Sequence, residues 1–187
     1  SVTLDGTPYI VVGTGFQRED QLDTVSGRLM GYRWDGELQV VFALDVPGNV
    51  YGVTGVAGML VAAVNAQVNT YVLGDKSQKL RALDVVSRWG CSFIASCLAC
   101  STEDEHTVVI GDAMRSLTVL WIGDDGEITE LGRDLDPYWT TAVTQYDAAH
   151  QQYLGSDIAM NMFVAGRIPT KAQGQFGHAM RRVSCFH

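Results

Sequence analysis

The chain has 187 residues, of which 47% are hydrophobic and 18% charged, a composition typical of a globular domain with a sizeable core. Its formal net charge of -8 argues against a surface built to grip nucleic-acid phosphates and against electrostatic attachment to an anionic membrane. The most membrane-like stretch, residues 50–64, is too short to span a bilayer. We therefore expect no membrane partner and no direct contact with nucleic acid.

Short strand-like runs follow one another along the chain. Each is rich in Val, Ile, Leu, Thr, Tyr or Trp, and each is bounded by Gly, Asp, Asn or Pro. No longer stretch shows a helical period with caps at both ends. The predicted strands are, in chain order, Tyr9–Thr14, Arg28–Trp34, Leu38–Leu44, Val50–Val56, Met59–Ala63, Val68–Leu73, Phe93–Ala99, Thr107–Ile110, Ser116–Ile122, Ile128–Leu131, Thr140–Gln145 and Met160–Ala165.

Internal self-similarity favours a propeller over a sandwich or a barrel. In each unit, a strand that closes on a small polar turn is followed by a strand that carries a large aromatic residue. These aromatic residues recur at intervals of about 40–50 residues, which is the length of a four-stranded blade. They are Tyr32, Tyr71, Trp121 and Phe163.

Two hairpin signals strengthen this interpretation. Asp35-Gly36 and Asp125-Gly126 both lie between apolar runs, just after the aromatic residue of their unit. The two outer strands of a blade would turn there. We predict an all-β chain, a partial β-propeller of about four blades, each a four-stranded antiparallel sheet. The approximate blades within this fragment of a single propeller domain are 9–45, 46–88, 89–135 and 136–187.

The two ends of the chain suggest a piece of a longer protein. Ser1 opens the sequence without a methionine or a signal peptide, and His187 follows directly on an apolar stretch. We therefore expect the four blades to be part of a larger ring.

No cofactor or metal site is predicted. Gly13-Thr14-Gly15 follows an apolar strand but lacks the third glycine and the helix of a dinucleotide-binding turn. The set Cys91, Cys97, Cys100 and His106 has the residue types of a zinc site. However, Cys97 and Cys100 lie three apart on a predicted strand and would point to opposite faces. No nucleophile, base and oxyanion site come together, so we do not expect an enzyme.

Trp139 leaves two interpretations open. Asp136-Pro137-Tyr138-Trp139 forms a turn-like link between blades. The tryptophan could pack between blades in the core, or it could be exposed at the rim as a binding hot spot, where Trp, Tyr and Arg are enriched.

Several segments, taken in order, resemble the family of the large subunit of the damage-specific DNA-binding protein, the adaptor of cullin-4 RING ubiquitin ligases. The resemblance falls in the third, C-terminal propeller of that family. Residues 91–98 depart from the family pattern, and the loop after Phe163 is shorter. The segments are Tyr9–Thr14, Gly27–Leu29, Gly111–Ser116, Arg133–Trp139, Tyr153–Asp157 and Asn161–Phe163.

The resemblance implies seven-bladed propellers and a non-enzymatic scaffold in the nucleus and cytoplasm, linked to the DNA-damage response. It implies that helical segments of WD-repeat-type substrate receptors bind in a cleft, that cullin-4 binds another propeller, and that nucleic acid is reached through a partner subunit. By position, it implies a receptor-binding role for Trp139 and Arg133 and, more weakly, for Arg115 and Tyr71. An alternative with the same architecture is an mRNA-processing subunit, of splicing factor 3b or of the cleavage and polyadenylation factor.

Overall fold

The fold is described by a computed structural model that covers residues 1–16, 26–75, 80–101, 104–134, 136–172 and 175–186, with side chains up to residue 166. Over these residues the regular structure is entirely β. The strands are β1 Val2–Leu4, β2 Thr7–Phe16, β3 Ser26–Trp34, β4 Leu38–Val46, β5 Val50–Val56, β6 Met59–Val64, β7 Gln67–Leu73, β8 Leu83–Gly90, β9 Ala95–Cys100, β10 Thr107–Asp112, β11 Ser116–Ile122, β12 Ile128–Arg133, β13 Thr140–Asp147, β14 Gln152–Asp157, β15 Met162–Ala172 and β16 Gln175–Phe186.

The strands form four consecutive four-stranded antiparallel units, here called blades 1 to 4. Blade 1 is β1–β4, blade 2 is β5–β8, blade 3 is β9–β12 and blade 4 is β13–β16. Blades 3 and 4 join into one eight-stranded sheet, because β12 and β16 pair in parallel at Gly132 with His178 and at Arg133 with Ala179. Within the described ranges the blades do not close into a ring. The prediction of an all-β partial propeller is confirmed.

The core consists of apolar layers between neighbouring blades. Alternation along β6 shows why: Leu60 and Ala62 pack toward blade 1, whereas Val61 and Ala63 pack toward blade 3. Successive side chains of a strand point to opposite faces, so a strand that is apolar at every position is buried on both. All six residues of β6 are buried accordingly. All six residues of β10 are buried as well, although Thr107 and Asp112 at its two ends are polar.

The structure shows which of the repeated sequence features occupies the same position in successive blades. Asn65 follows β6 directly, and Asp112 and Asp157 are the last residues of β10 and β14, so one polar residue ends the second strand of blades 2, 3 and 4. The aromatic residues are less regular. Tyr71 and Phe163 are fully buried, whereas Trp121 is 39% exposed and stacks on His106.

The Asp-Gly turns were predicted correctly. Gly36 joins β3 to β4 and Gly126 joins β11 to β12, and both glycines have a positive φ, 77° and 83°. The predicted strands differ from the observed ones at several places. Four strands are absent from the prediction: β1, β8, β14 and β16. In addition, β9 begins at Ala95 instead of Phe93, and β15 begins at Met162 instead of Met160. Among the described residues, no helix is long and apolar enough to cross a membrane.

Candidate functional site

An open groove of about 660 Å³ lies at one end of blades 3 and 4. Three connections that are distant in sequence form it: the β8–β9 link, the β10–β11 turn and the β12–β13 link. Its apolar wall consists of Phe93, Met114, Pro137 and Trp139. Its polar wall consists of Ser92, Arg115 and Arg133. Three of the four residues predicted to bind a partner therefore line one groove.

Trp139 faces outward at this groove. Its side chain is 47% exposed, while the preceding Tyr138 stacks on the buried Phe163 of blade 4 with 5.6 Å between ring centroids. The backbone is fixed by a hydrogen bond from Ile158 N to Trp139 O at 3.0 Å. Of the two interpretations of Trp139, packing in the core between blades is wrong, because about half of the residue is exposed and the ring that contacts Phe163 is that of Tyr138. The tryptophan is left available to a partner.

Arg133 is held on three sides. Its Nη2 donates to Glu130 Oε2 at 2.7 Å, and its Nη1 donates to Ser92 Oγ at 3.2 Å. Its guanidinium carbon lies 5.5 Å from the ring centroid of Trp89. The side chain is 28% exposed, so the cation is oriented by its neighbours and still reaches solvent at the groove.

Arg115 lies on the three-residue turn between β10 and β11 and is exposed. The next residue, Ser116, is buried and has a φ of 58°, which is unusual for a residue with a side chain. Ser116 N donates to Tyr138 O at 2.9 Å, and its Oγ donates to Asp134 Oδ2 at 2.7 Å. These bonds hold the strained turn that presents Arg115.

Tyr71 does not join the groove. Its side chain is 1% exposed and belongs to the apolar layer between blades 1 and 2. Its hydroxyl accepts a hydrogen bond from Asn69 Nδ2 at 3.0 Å, and burial raises the pKa of this phenol. The ring offers no surface to a partner because it is part of the core.

Four residues of the groove were not predicted as site residues from the sequence: Ser92, Phe93, Met114 and Pro137. Met114 and Pro137 lie inside the motifs that carried the family resemblance, so the signal for these two was present. Ser92 and Phe93 lie in the segment that departs from the family pattern. Only the three-dimensional fold brings this link beside Arg133.

Cys97 and Cys100 do not converge on one ligand site. Cys97 lies beside Gly111 on the side of Thr140, whereas Cys100 Sγ is hydrogen-bonded to Thr54 Oγ1 of blade 2. The two thiols of β9 thus point to opposite faces. Among the residues with described side chains, no group of three or more His, Cys, Asp or Glu could hold a metal ion. The side chain of Cys185 is outside the described residues.

Comparison with known proteins gives one family. The family model described as "CPSF A subunit region" matches residues 1–187. DNA damage-binding protein 1 of Oryza sativa subsp. japonica is 28% identical over 169 residues, which cover 87% of this chain and 15% of that protein. DNA damage-binding protein 1a of Arabidopsis thaliana is 29% identical over 164 residues, covering 87% and 15%. DNA damage-binding protein 1b of the same plant is 26% identical over 189 residues, covering 100% and 17%.

Proposed function

The chain belongs to the CPSF A subunit region family, and from this premise we propose that it forms part of a non-enzymatic adaptor that docks substrate receptors onto a cullin-4 RING ubiquitin ligase. The chain spans only 15% to 17% of the length of the relatives compared above. The proposed activity is therefore that of a longer protein to which these blades contribute one docking surface. The names of the relatives, DNA damage-binding proteins, support a role in the DNA-damage response.

One observation carries the proposal. Arg115, Arg133 and Trp139 come from two separate connections of the fold, and they line the same groove. If the residues of this turn and of this interblade link served only to join strands, their side chains would not need to lie together at one groove. Loops positioned by a rigid scaffold are where binding residues usually lie.

The chemistry of the groove fits a helical segment of a partner. Apolar side chains on one face of an amphipathic helix can pack against Phe93, Met114 and Trp139. Acidic side chains of that helix, or the carbonyl groups at its C-terminus, can accept hydrogen bonds from Arg115 and Arg133. The partner class we propose is the WD-repeat type of substrate receptor.

The remaining roles follow from the same proposal. Cullin-4 would bind another propeller of the complete protein, and nucleic acid would be contacted through a partner subunit. The net charge of -8 supports the second point, because an acidic surface repels the phosphate backbone. The protein would work in the nucleus and the cytoplasm.

The test is a pull-down with the full-length parent protein, comparing the wild type with Trp139→Ala. Trp34→Ala serves as the matched control, because Trp34 is also an exposed tryptophan, with 67% of its surface accessible. It is the last residue of β3, in blade 1. Bound proteins are identified by mass spectrometry. We expect a cullin and WD-repeat receptors with the wild type and with Trp34→Ala, and loss of the receptors alone with Trp139→Ala.

Two outcomes would contradict the proposal. Receptors that remain bound to Trp139→Ala would remove the groove as the docking site. Recovery of polyadenylation or splicing subunits in place of the cullin would assign the chain to the mRNA-processing alternative, which shares the family.

A further inference from the structure

A single buried carboxylate accepts hydrogen bonds from two of the three chain segments that form the groove. Asp112, at the end of β10, is 3% exposed. Its Oδ2 accepts hydrogen bonds from Ser92 N at 2.8 Å and Phe93 N at 3.0 Å, on the β8–β9 link. Its Oδ1 accepts from Met114 N at 2.9 Å, on the β10–β11 turn. All three amides belong to residues that line the groove.

These amides depend on Asp112 because they lie outside the strands. Ser92 and Phe93 are in the irregular link before β9, and Met114 is in a turn, so none has a ladder partner. Hydrogen bonds from backbone N–H groups to a carboxylate are charge-assisted and about twice as strong as neutral ones. Asp112 thus supplies the fixed point from which both segments are held.

A second buried carboxylate completes the arrangement around Arg115. Asp134 is 5% exposed, and it accepts hydrogen bonds from Ser116 Oγ at 2.7 Å and Asp136 N at 3.2 Å. Arg115 therefore lies between Met114, which is held by Asp112, and Ser116, which is held by Asp134. Its backbone is fixed on both sides, although its side chain is exposed.

We propose that Asp112 is a positioning residue of the docking groove, which acts on a partner through the loops that carry Phe93, Met114 and Arg115. The carboxylate is buried, so it would not touch the partner. It would act by keeping the groove in the binding geometry before the partner arrives, which lowers the ordering cost of association. The docking part of this inference rests on the proposed function, whereas the positioning part does not.

The test uses Asp112→Asn in the full-length parent protein, since asparagine keeps the shape and one acceptor but loses the charge. Asp104→Asn is the matched control. Asp104 lies at the other end of β10, where it accepts hydrogen bonds from His106 N at 2.9 Å and Thr107 Oγ1 at 2.6 Å, far from the groove. Both variants are measured by amide hydrogen exchange and by binding to a recombinant WD-repeat receptor.

In Asp112→Asn the new NH2 group faces either Met114 N or the amides of Ser92 and Phe93. We expect exchange to speed up by about tenfold at the amides that face this NH2 group, the loss of one charge-assisted bond, and by less at those that still face the oxygen. We expect Asp112→Asn to weaken receptor binding by a similar factor. Asp104→Asn should change neither. Unchanged exchange at the three amides would overturn the positioning role, whatever happens to binding.

The two proposals can fail separately. Suppose that Asp112→Asn exchanges faster at these amides but binds the receptor with full affinity, whereas Trp139→Ala has lost affinity. That result would overturn the role of Asp112 in docking. Full affinity in Trp139→Ala would overturn the docking site itself and leave the exchange result to decide whether Asp112 positions the loops. If Asp112→Asn does not fold, exchange in the wild type decides: unprotected amides at Ser92 and Phe93 would overturn the inference.

Discussion

Arg81 of blade 2 forms an ion pair with Asp5 of blade 1, with 2.7 Å between Arg81 Nη2 and Asp5 Oδ2. The arginine side chain is only 5% exposed. The same guanidinium donates to Gly74 O at 2.7 Å, Leu73 O at 3.2 Å and the Tyr9 hydroxyl at 3.2 Å. Arg81 therefore joins the link between β7 and β8 to the first hairpin of the neighbouring blade.

We expect Arg81→Met to destabilise the parent protein by about 2 to 3 kcal/mol. Removing one partner of a buried ion pair typically costs about 3–5 kcal/mol, and the value here should be smaller because the Asp5 side chain keeps 32% of its exposure. The free energy of unfolding is measured by chemical denaturation. Arg28→Met is the control, since Arg28 and Asp45 form an exposed pair. If Arg81→Met and Arg28→Met lost the same free energy of unfolding, burial of Arg81 would add nothing to the contribution of its ion pair.

Two glycines in matching turns should respond differently to alanine. Gly36 and Gly126 both have a positive φ, so alanine strains the backbone of either by about 1 kcal/mol. A Cβ at Gly36 would meet no atom within 4 Å, whereas one at Gly126 would lie 2.8 Å from Val86 Cγ1 and 3.1 Å from Met59 Sδ. We expect Gly126→Ala to be the more destabilising, by about a further 1 kcal/mol or more. Thermal unfolding of the two variants checks this order.

Trp139→Ala should lower receptor affinity by about 2 kcal/mol or more, the loss typical of a tryptophan hot spot. The free energy of unfolding should change little, because Trp139 is half exposed and Tyr138 supplies the packing. Titration calorimetry with the full-length parent measures the first quantity and chemical denaturation the second. A large loss of stability with unchanged affinity would assign the residue to packing.

The thiol of Cys91 should be unreactive near neutral pH. Burial, reinforced by the neighbouring Asp112 carboxylate, raises the pKa of Cys91 to about 11. A raised pKa keeps the thiol protonated, so the thiolate fraction at pH 8 falls about a hundredfold below that of an ordinary cysteine. Alkylation by iodoacetamide, followed by mass spectrometry, should still rise about tenfold per pH unit between pH 8 and pH 10. A plateau near pH 9, as in the unfolded chain, would contradict this.

The sequence could predict the blades because the turns between strands have strong local chemistry. Asp-Gly at Gly36 and Gly126 is suited to a backbone with positive φ. Asp112 and Asp157, which end their strands, accept hydrogen bonds from amides of the turn that follows, Met114 N and Ala159 N. The outer strand β8 was missed because it has a partner on one side only, so Asp84 and Arg88 can face solvent and interrupt the apolar pattern.

The groove was harder to predict because its parts are joined only in three dimensions. Arg133 ends β12 and Trp139 lies on the link that follows, and both belong to one segment of the family pattern. Ser92 and Phe93 are more than twenty residues from every other residue that lines the groove, and they carry no motif. Tyr71 shows the opposite case: its position resembles the family, but burial between blades 1 and 2 keeps it from the surface.

The parallel pairing of β12 with β16 has a consequence for how the chain comes apart. Blades 1 and 2 are separate sheets, held to their neighbours chiefly by side-chain layers, whereas blades 3 and 4 also share a backbone ladder. Regions linked by such a ladder tend to open as one cooperative unit. The Arg133 end of the groove lies on that ladder, and the link that carries Trp139 joins the same two blades. The groove that we propose as a receptor-binding surface is therefore built into the part of the chain in which blades 3 and 4 open as one unit.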